Sequence, residues 1–279
     1  GRRTYERVLA MSVVRVAAVQ HDIMWFDREA NYVALAPRIS AAAAGGARIV
    51  LLTETFSTGF SFADPAIAEP EGGPSSQFLV DQAAANDVWV GGTCAELAPD
   101  APADDQRVSN VFVLAGPDGI VHRYRKIHPF SHSGEDEHVR AGSEHITVTI
   151  DGVRCSLFIC YDLRFADEFW AVAHDTDAYL LIANWPAKRR HHWQTLARAR
   201  AIENQAYFVA VNRVGRDGAL DAEGKRTGPL DHSGDSAVFD PMGEVLVSAA
   251  GAETTIFADI DTDVVAATRQ HFQFLQDRR

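Results

Sequence analysis

The chain has 279 residues, 47% hydrophobic and 23% charged, with 38 acidic against 26 basic side chains and a net charge of −12. This is the composition of a folded protein with a large core, and the acid excess excludes a nucleic-acid partner, because phosphate binding needs a basic footprint. No run approaches the ~20 apolar residues of a membrane span, which excludes a membrane partner of that kind. Cys94, Cys155 and Cys160 cannot all pair within one chain, so reduced thiols and a cytoplasmic location are expected. Residues 1–10, GRRTYERVLA, lack the apolar centre and small-residue cleavage site of a secretory signal. They read as an extension outside a single domain over 11–279, whose fold begins near Ser12.

Strands and helices then alternate. VVRVAAVQ (13–20) reads as a buried strand. Asp27 can cap a helix with Tyr32, Leu35, Ile39 and Ala43 on one face, kinked or limited by Pro37 and closed by Gly45-Gly46. A strand is expected over 47–54, a helix over 75–86, a strand over 88–96 and an exposed tip over 97–107. Residues 110–126 form a hairpin signature around Gly116-Pro117-Asp118-Gly119, and 145–160 another around Asp151-Gly152. A helix from Asp167, a strand over 178–184, a helix over 193–204, a strand over 207–214 and a hairpin over 235–249 continue the pattern. Two βα sets with hairpins between them predict an α/β protein: two mixed sheets packed face to face, with helices on the outer faces.

The stretch SLFICYDLRF (156–165) carries a chemical signal. An apolar strand ends on Cys160 and turns at once into a polar elbow. Such an elbow pushes a thiol out of the core beside free backbone N–H groups, which is how a nucleophile is mounted. An inert core cysteine gives the same local pattern. Glu54 stands at a strand exit, Lys126 among Tyr124, Ile127 and Phe130, and Glu135 in an acidic loop; each alone reads equally as solvated surface. Together they have a chemical logic. A carboxylate takes the thiol proton, a lysine and backbone N–H groups hold the oxyanion, and the carboxylic acid returns a proton to the leaving amine.

LLTETFSTGF, YRKIHPF and CYDLRF, in that order and at those separations, resemble the three signature segments of the carbon–nitrogen hydrolase (nitrilase) superfamily. The likeness continues through NWP (184–186), residues 192–215 and residues 233–244, and is strongest to the omega-amidase-like branch. The resemblance implies a nitrilase-like αββα sandwich and, commonly, a homodimer joined through the helical face. It puts Glu54 in the general-base position, Lys126 in the oxyanion position and Cys160 at the nucleophile. Glu135 takes the second active-site glutamate, with Glu137 its competitor. The implied reaction is hydrolysis of the carboxamide of small dicarboxylic acid monoamides, such as 2-oxoglutaramate or 2-oxosuccinamate, through a cysteine thioester and without any cofactor. By the same resemblance NWPAKRRHHW lies at the pocket mouth. Trp185 and Phe60 would wall a small cavity, Cys160 or Tyr161 would lend a backbone N–H to the oxyanion, and Arg189 would grip the distal carboxylate, with Lys188 and Arg190 as alternatives.

Other patterns carry less. His191-His192 and the scattered His128, His132 and His138 accompany no HExxH or CxxC, so no metal site is expected. Arg198, Arg200 and Glu203 read as ion-paired packing on a helix. Another carbon–nitrogen hydrolase (an N-carbamoyl amidase or a nitrilase) and a catalytically silent binding protein of the same fold remain as rival readings. The intact Glu54, Lys126 and Cys160 set argues against the silent one.

Overall fold

The computed structural model describes residues 12–99, 101–102 and 104–278; the extension expected over 1–10 lies outside the described residues. The first half contains β1 (Val13–Gln20), α1 (Arg28–Ala44), β2 (Ile49–Leu51), β3 (Glu69–Pro70), α2 (Pro74–Asn86), β4 (Trp89–Leu97), β5 (Val108–Ala115), β6 (Val121–Arg125) and the single turn α3 (Glu135–His138). The second contains β7 (Thr147–Ile150), β8 (Val153–Ile159), α4 (Ala166–Ala171), β9 (Ala178–Ala183), α5 (Arg190–Asn204), β10 (Tyr207–Asn212), β11 (Val214–Arg216), β12 (Asp231–Phe239), β13 (Val245–Ala250), β14 (Thr254–Asp261) and α6 (Thr262–His271).

Strand alternation sorts these elements into layers. In the first sheet Val14, Val16, Ala18, Ile49, Leu51, Phe112 and Leu114 pack in one cluster with strands of the second sheet. Their neighbours Ala17, Val19, Val50, Val111 and Val113 point the other way, beneath Leu35 and Ile39 of α1 and Leu79 and Ala83 of α2. On the far face of the second sheet, Phe169 of α4 and Trp193, Ala197 and Ala201 of α5 close the core. The expected αββα sandwich is what folds.

The first sheet runs β14-β1-β2-β4-β5-β6, with β3 on β4; the second runs β11-β12-β10-β9-β8-β7, with β13 on β12. Both are mixed. β1, β2 and β4 are parallel, as are β8, β9 and β10, and antiparallel strands flank each set. Because β4–β5 and β5–β6 are both antiparallel, β6 runs in the same sense as β2. The carboxyl ends of β2 and β6 therefore lie at one end of their sheet, where ligands gather in such folds.

The structure corrects several expected boundaries. Pro37 does not end α1, which continues to Ala44. The carbonyl left without a partner belongs to Val33, 67% exposed, so water can satisfy it. The strand expected over 47–54 is only Ile49–Leu51, leaving Glu54 in a buried turn beyond it. Residues 160–164 form a 3-10 turn before α4, and α5 begins at Arg190 rather than Trp193. The strand β14, absent from the sequence reading, pairs with β1 along its whole length, from Val13↔Asp261 to Gln20↔Thr254.

Candidate active site

Four connections at strand ends converge between the sheets: Glu54 after β2, Lys126 after β6, Cys160 after β8 and Asn184 after β9. Glu54 and Lys126 are fully buried and Glu135, at the start of α3, nearly so. Lys126 Nζ bridges the two carboxylates, 3.1 Å from Glu54 Oε1 and 2.8 and 3.1 Å from Glu135 Oε2 and Oε1. Asn110 of β5 braces the same pair from below, donating to Glu54 Oε1 at 2.9 Å and Glu135 Oε1 at 3.0 Å. The Asn184 backbone N–H donates to Glu54 Oε2 at 2.7 Å, so both carboxylate oxygens are held. Glu137 is exposed and takes no part. Glu135 is the residue that meets the lysine.

The electrostatics follow from that arrangement. Burial works against the Lys126 charge, but Glu135, Glu54 and Cys160 more than offset it and push the ammonium further up. Burial raises Glu135, reinforced by the Glu54 charge and opposed by Lys126. Burial also pushes the Cys160 thiol well up, and the Glu54 carboxylate beside it adds to this, against Lys126 and the Asn184 N–H. The resting sulfur is therefore held as a thiol beside the Glu54 carboxylate, the charge that can accept its proton.

Cys160 sits at φ 43°, a left-handed conformation that costs a non-glycine residue about 1–3 kcal/mol. Asp162 holds it there. Fully buried, this carboxylate accepts from Ile159 N at 3.0 Å, Tyr124 Oη at 2.7 Å and His128 N at 3.0 Å, tying the elbow to the connection after β6. From the helix side, Arg200 of α5 donates to Leu163 O at 2.7 and 3.2 Å. Asn212 fixes the next loop by accepting from Trp185 N at 2.8 Å and donating to Trp185 O at 3.0 Å.

A cavity of about 70 Å³ opens over Cys160. Phe60, Phe130, Tyr161 and Trp185 supply apolar walls, and the guanidiniums of Arg164 and Arg189 face the same space. Arg164 lies 4.8 Å over the Trp185 ring and Arg189 5.4 Å over Phe130. Among the described residues neither guanidinium is ion-paired with a carboxylate, whereas exposed Arg190 is bound to Asp235 at 2.6 Å and Lys188 lies out in solvent.

This site sits in a chain that matches the carbon–nitrogen hydrolase family model over residues 15–270. The chain belongs to that family. The hydrolase is 34% identical over 271 residues to the omega-amidase YafV of Yersinia enterocolitica, covering 96% of this chain and 97% of that one. It is 32% identical over 238 residues to a 2-oxoglutaramate amidase of Bacillus subtilis, covering 84% and 85%. A solved CN-hydrolase superfamily protein of Xanthomonas campestris, carrying an arsenic adduct in its active site, superposes with a TM-score of 0.84 at 32% identity, covering 96% and 98%. The hydrolase is an omega-amidase-like enzyme of carbon–nitrogen bonds.

Sequence reasoning did not reach Asn110, Asp162, Arg164, Asn184 or Asn212 of the hydrolase. The YDLRF segment was a signal for two of these, since an aspartate two residues past a candidate nucleophile can fold back onto its own backbone. Cys94 and Cys155 are buried strand residues, both free. Among the described residues no three His, Cys, Asp or Glu side chains are grouped to hold a metal ion, and no helix is long and apolar enough to cross a membrane.

Proposed function

We propose that the hydrolase cleaves the carboxamide of small dicarboxylic acid monoamides, such as 2-oxoglutaramate or 2-oxosuccinamate, to acid and ammonia through a thioester on Cys160. The observation that carries this reading is the pair of guanidiniums, unpaired with any carboxylate among the described residues, in the cavity that holds the thiol. Burial and the neighbouring Arg164 press down on Arg189's pKa, a strain that an anionic guest relieves. The distal carboxylate is that anion, and a guanidinium can bond both its oxygens. The small cavity suits an unbranched chain whose far end reaches the mouth.

In this mechanism Glu54 takes the Cys160 proton and the sulfur attacks the carboxamide carbon. Lys126 and a backbone N–H at Cys160 or Tyr161 hold the oxyanion. The Glu54 carboxylic acid returns the proton as the C–N bond breaks, releasing ammonia. Glu54 then activates water, whose attack frees the acid and restores the thiol. Glu135 keeps Lys126 charged and in place. A homodimer in the cytoplasm belongs to the same reading. The open groove along α5 and β13, with Ile202 and Val245 exposed, supports an apolar subunit contact.

A panel of 2-oxoglutaramate, 2-oxosuccinamate, carbamoyl amino acids, nitriles and a neutral amide of matched length tests the proposal. Arg189→Met should cut kcat/KM for 2-oxoglutaramate by roughly 30- to 150-fold, about 2–3 kcal/mol, and the neutral amide far less. Equal losses on both, or none, would remove Arg189 as the anchor and reopen the substrate class.

A further inference from the structure

A second cavity, of about 260 Å³, shares no lining residue with the one over Cys160. Arg123 and Arg125 line it from β6, on the face opposite buried Tyr124, and Arg140 lines it from the segment after α3. Ser109 of β5, 2% exposed, lies beside them. Among the lining residues the only carboxylate is that of exposed Glu144. Three guanidiniums to one carboxylate reverse, locally, the sign of a chain whose net charge is −12.

The three arginines are not equally engaged. Arg123 is committed: its Nε lies 3.0 Å from Oε2 of buried Glu96, and its Nη2 donates to Ser76 at 3.2 Å. Arg125 reaches Glu71 only at 3.4 Å, across a partly exposed contact. Its Nε is buried and, among the described residues, has no hydrogen-bond partner. A buried donor without an acceptor is costly, and points to a guest that completes it. Arg140 stands 3.4 Å from Asp105, whose two oxygens Arg107 already binds at 3.0 and 2.9 Å.

The wall of this cavity is also the back of the catalytic centre. Arg125 immediately precedes Lys126. The segment 139–142 straps β5 and β6 together: Arg140 N donates to Val108 O and Gly142 N to Lys126 O, each at 2.8 Å. Val139 N donates to Glu135 O, also at 2.8 Å. Like charges on Arg125 and Arg140, facing one cavity, repel and work against these bonds; an anion between them turns repulsion into attraction.

We infer that this cavity is a regulatory anion site, in which Arg125 and Arg140 bind a phosphate group and, through the strap, raise the turnover of the catalytic centre. A tetrahedral dianion suits it better than a carboxylate. Two forked guanidiniums and the Ser109 hydroxyl can use three or more acceptor oxygens, and a carboxylate has only two. The volume also leaves room for a small organic tail, so free phosphate and a phosphate monoester are the two sources of that group. Lys126 and Glu135 serve any amide the centre hydrolyses, so this regulation is independent of the substrate class proposed above.

Calorimetric titration of the whole chain with inorganic phosphate, largely a dianion at about pH 7.5, should give a Kd on the order of 1 mM at constant ionic strength. Arg125→Gln and Arg140→Gln should each weaken binding by roughly tenfold or more. Arg140→Gln carries the test if the strand variant does not fold. Arg189→Met, altered in the other cavity, should bind phosphate as the wild type does. Phosphate should raise wild-type kcat about two- to threefold, with KM unchanged, on whichever amide of the panel is turned over. Glycerol phosphate, titrated in parallel, separates the sources: tighter binding assigns the spare volume to an organic tail, equal binding assigns the site to free phosphate, and both support the inference. No binding up to about 20 mM, or binding that survives both glutamine variants, overturns it. So does competitive inhibition that Arg189→Met relieves, or binding that leaves kcat unchanged.

Discussion

Replacing Glu135 with glutamine keeps the side chain's shape but removes one of the two negative charges that hold Lys126. The ammonium lies 2.8 Å from Glu135 Oε2. At an effective dielectric constant of about 20 that contact is worth on the order of 6 kcal/mol of Coulomb attraction. Part of it offsets the cost of burying the glutamate, and breaking a buried pair from one side typically costs about 3–5 kcal/mol. The loss has a direction. Without that charge, Glu54, whose Oε1 is already 3.1 Å from Lys126, is the carboxylate left to balance the ammonium, which then competes harder with the Cys160 proton for it. Glu135→Gln should therefore lower kcat/KM by about 10²- to 10³-fold, equivalent to about 3–4 kcal/mol, while a thioester still forms slowly. Glu54→Gln, which removes the proton acceptor itself, should form none. Rapid quenching followed by mass spectrometry of the Cys160 peptide reads both variants directly. Prompt acylation in Glu54→Gln together with none in Glu135→Gln would refute the division of labour.

Two further predictions concern the elbow and acid stability. Asp162→Asn loses a charged acceptor shared by Ile159 N, Tyr124 Oη and His128 N, and urea unfolding should show a loss of about 2–4 kcal/mol with turnover falling in step. Tyr124→Phe should cost only about 1 kcal/mol, and wild-type stability and turnover in Asp162→Asn would show that the clamp does not hold the nucleophile. Burial lowers His21 to about 4 and His232 to about 3. Their contribution is therefore complete above an unfolded-state value near 6.5 and is lost as pH falls below it, at about 1.4 kcal/mol per unit for each. Asp217, raised to about 6, and Glu135, also raised, bind protons more readily when folded and offset part of that loss. Urea unfolding at pH 7.5 and 5.5 should differ by about 1–2 kcal/mol in favour of the higher pH; greater stability at 5.5 would reverse the assignment.

What the sequence by itself determined is whatever lies in short-range order. Alternation in VVRVAAVQ, the Asp-Gly and Pro-Asp-Gly turns, and three ordered segments around Glu54, Lys126 and Cys160 specify the strands, the hairpins and the family. Only the tertiary structure decided between residues whose local patterns are alike. Glu135 and Glu137 share one short turn, yet only Glu135 reaches an ammonium, because the connection after β6 folds it back over Lys126. Arg189 and Arg190 are adjacent, but the start of α5 turns Arg190 toward Asp235 and leaves Arg189 facing the cavity. Asn110 meets Glu54 across 56 positions and Asn184 meets it across 130. No period in the chain encodes such distances. They arise when two sheets, each sorted by its own alternation, close on a shared core and bring the ends of β2, β6, β8 and β9 to one point.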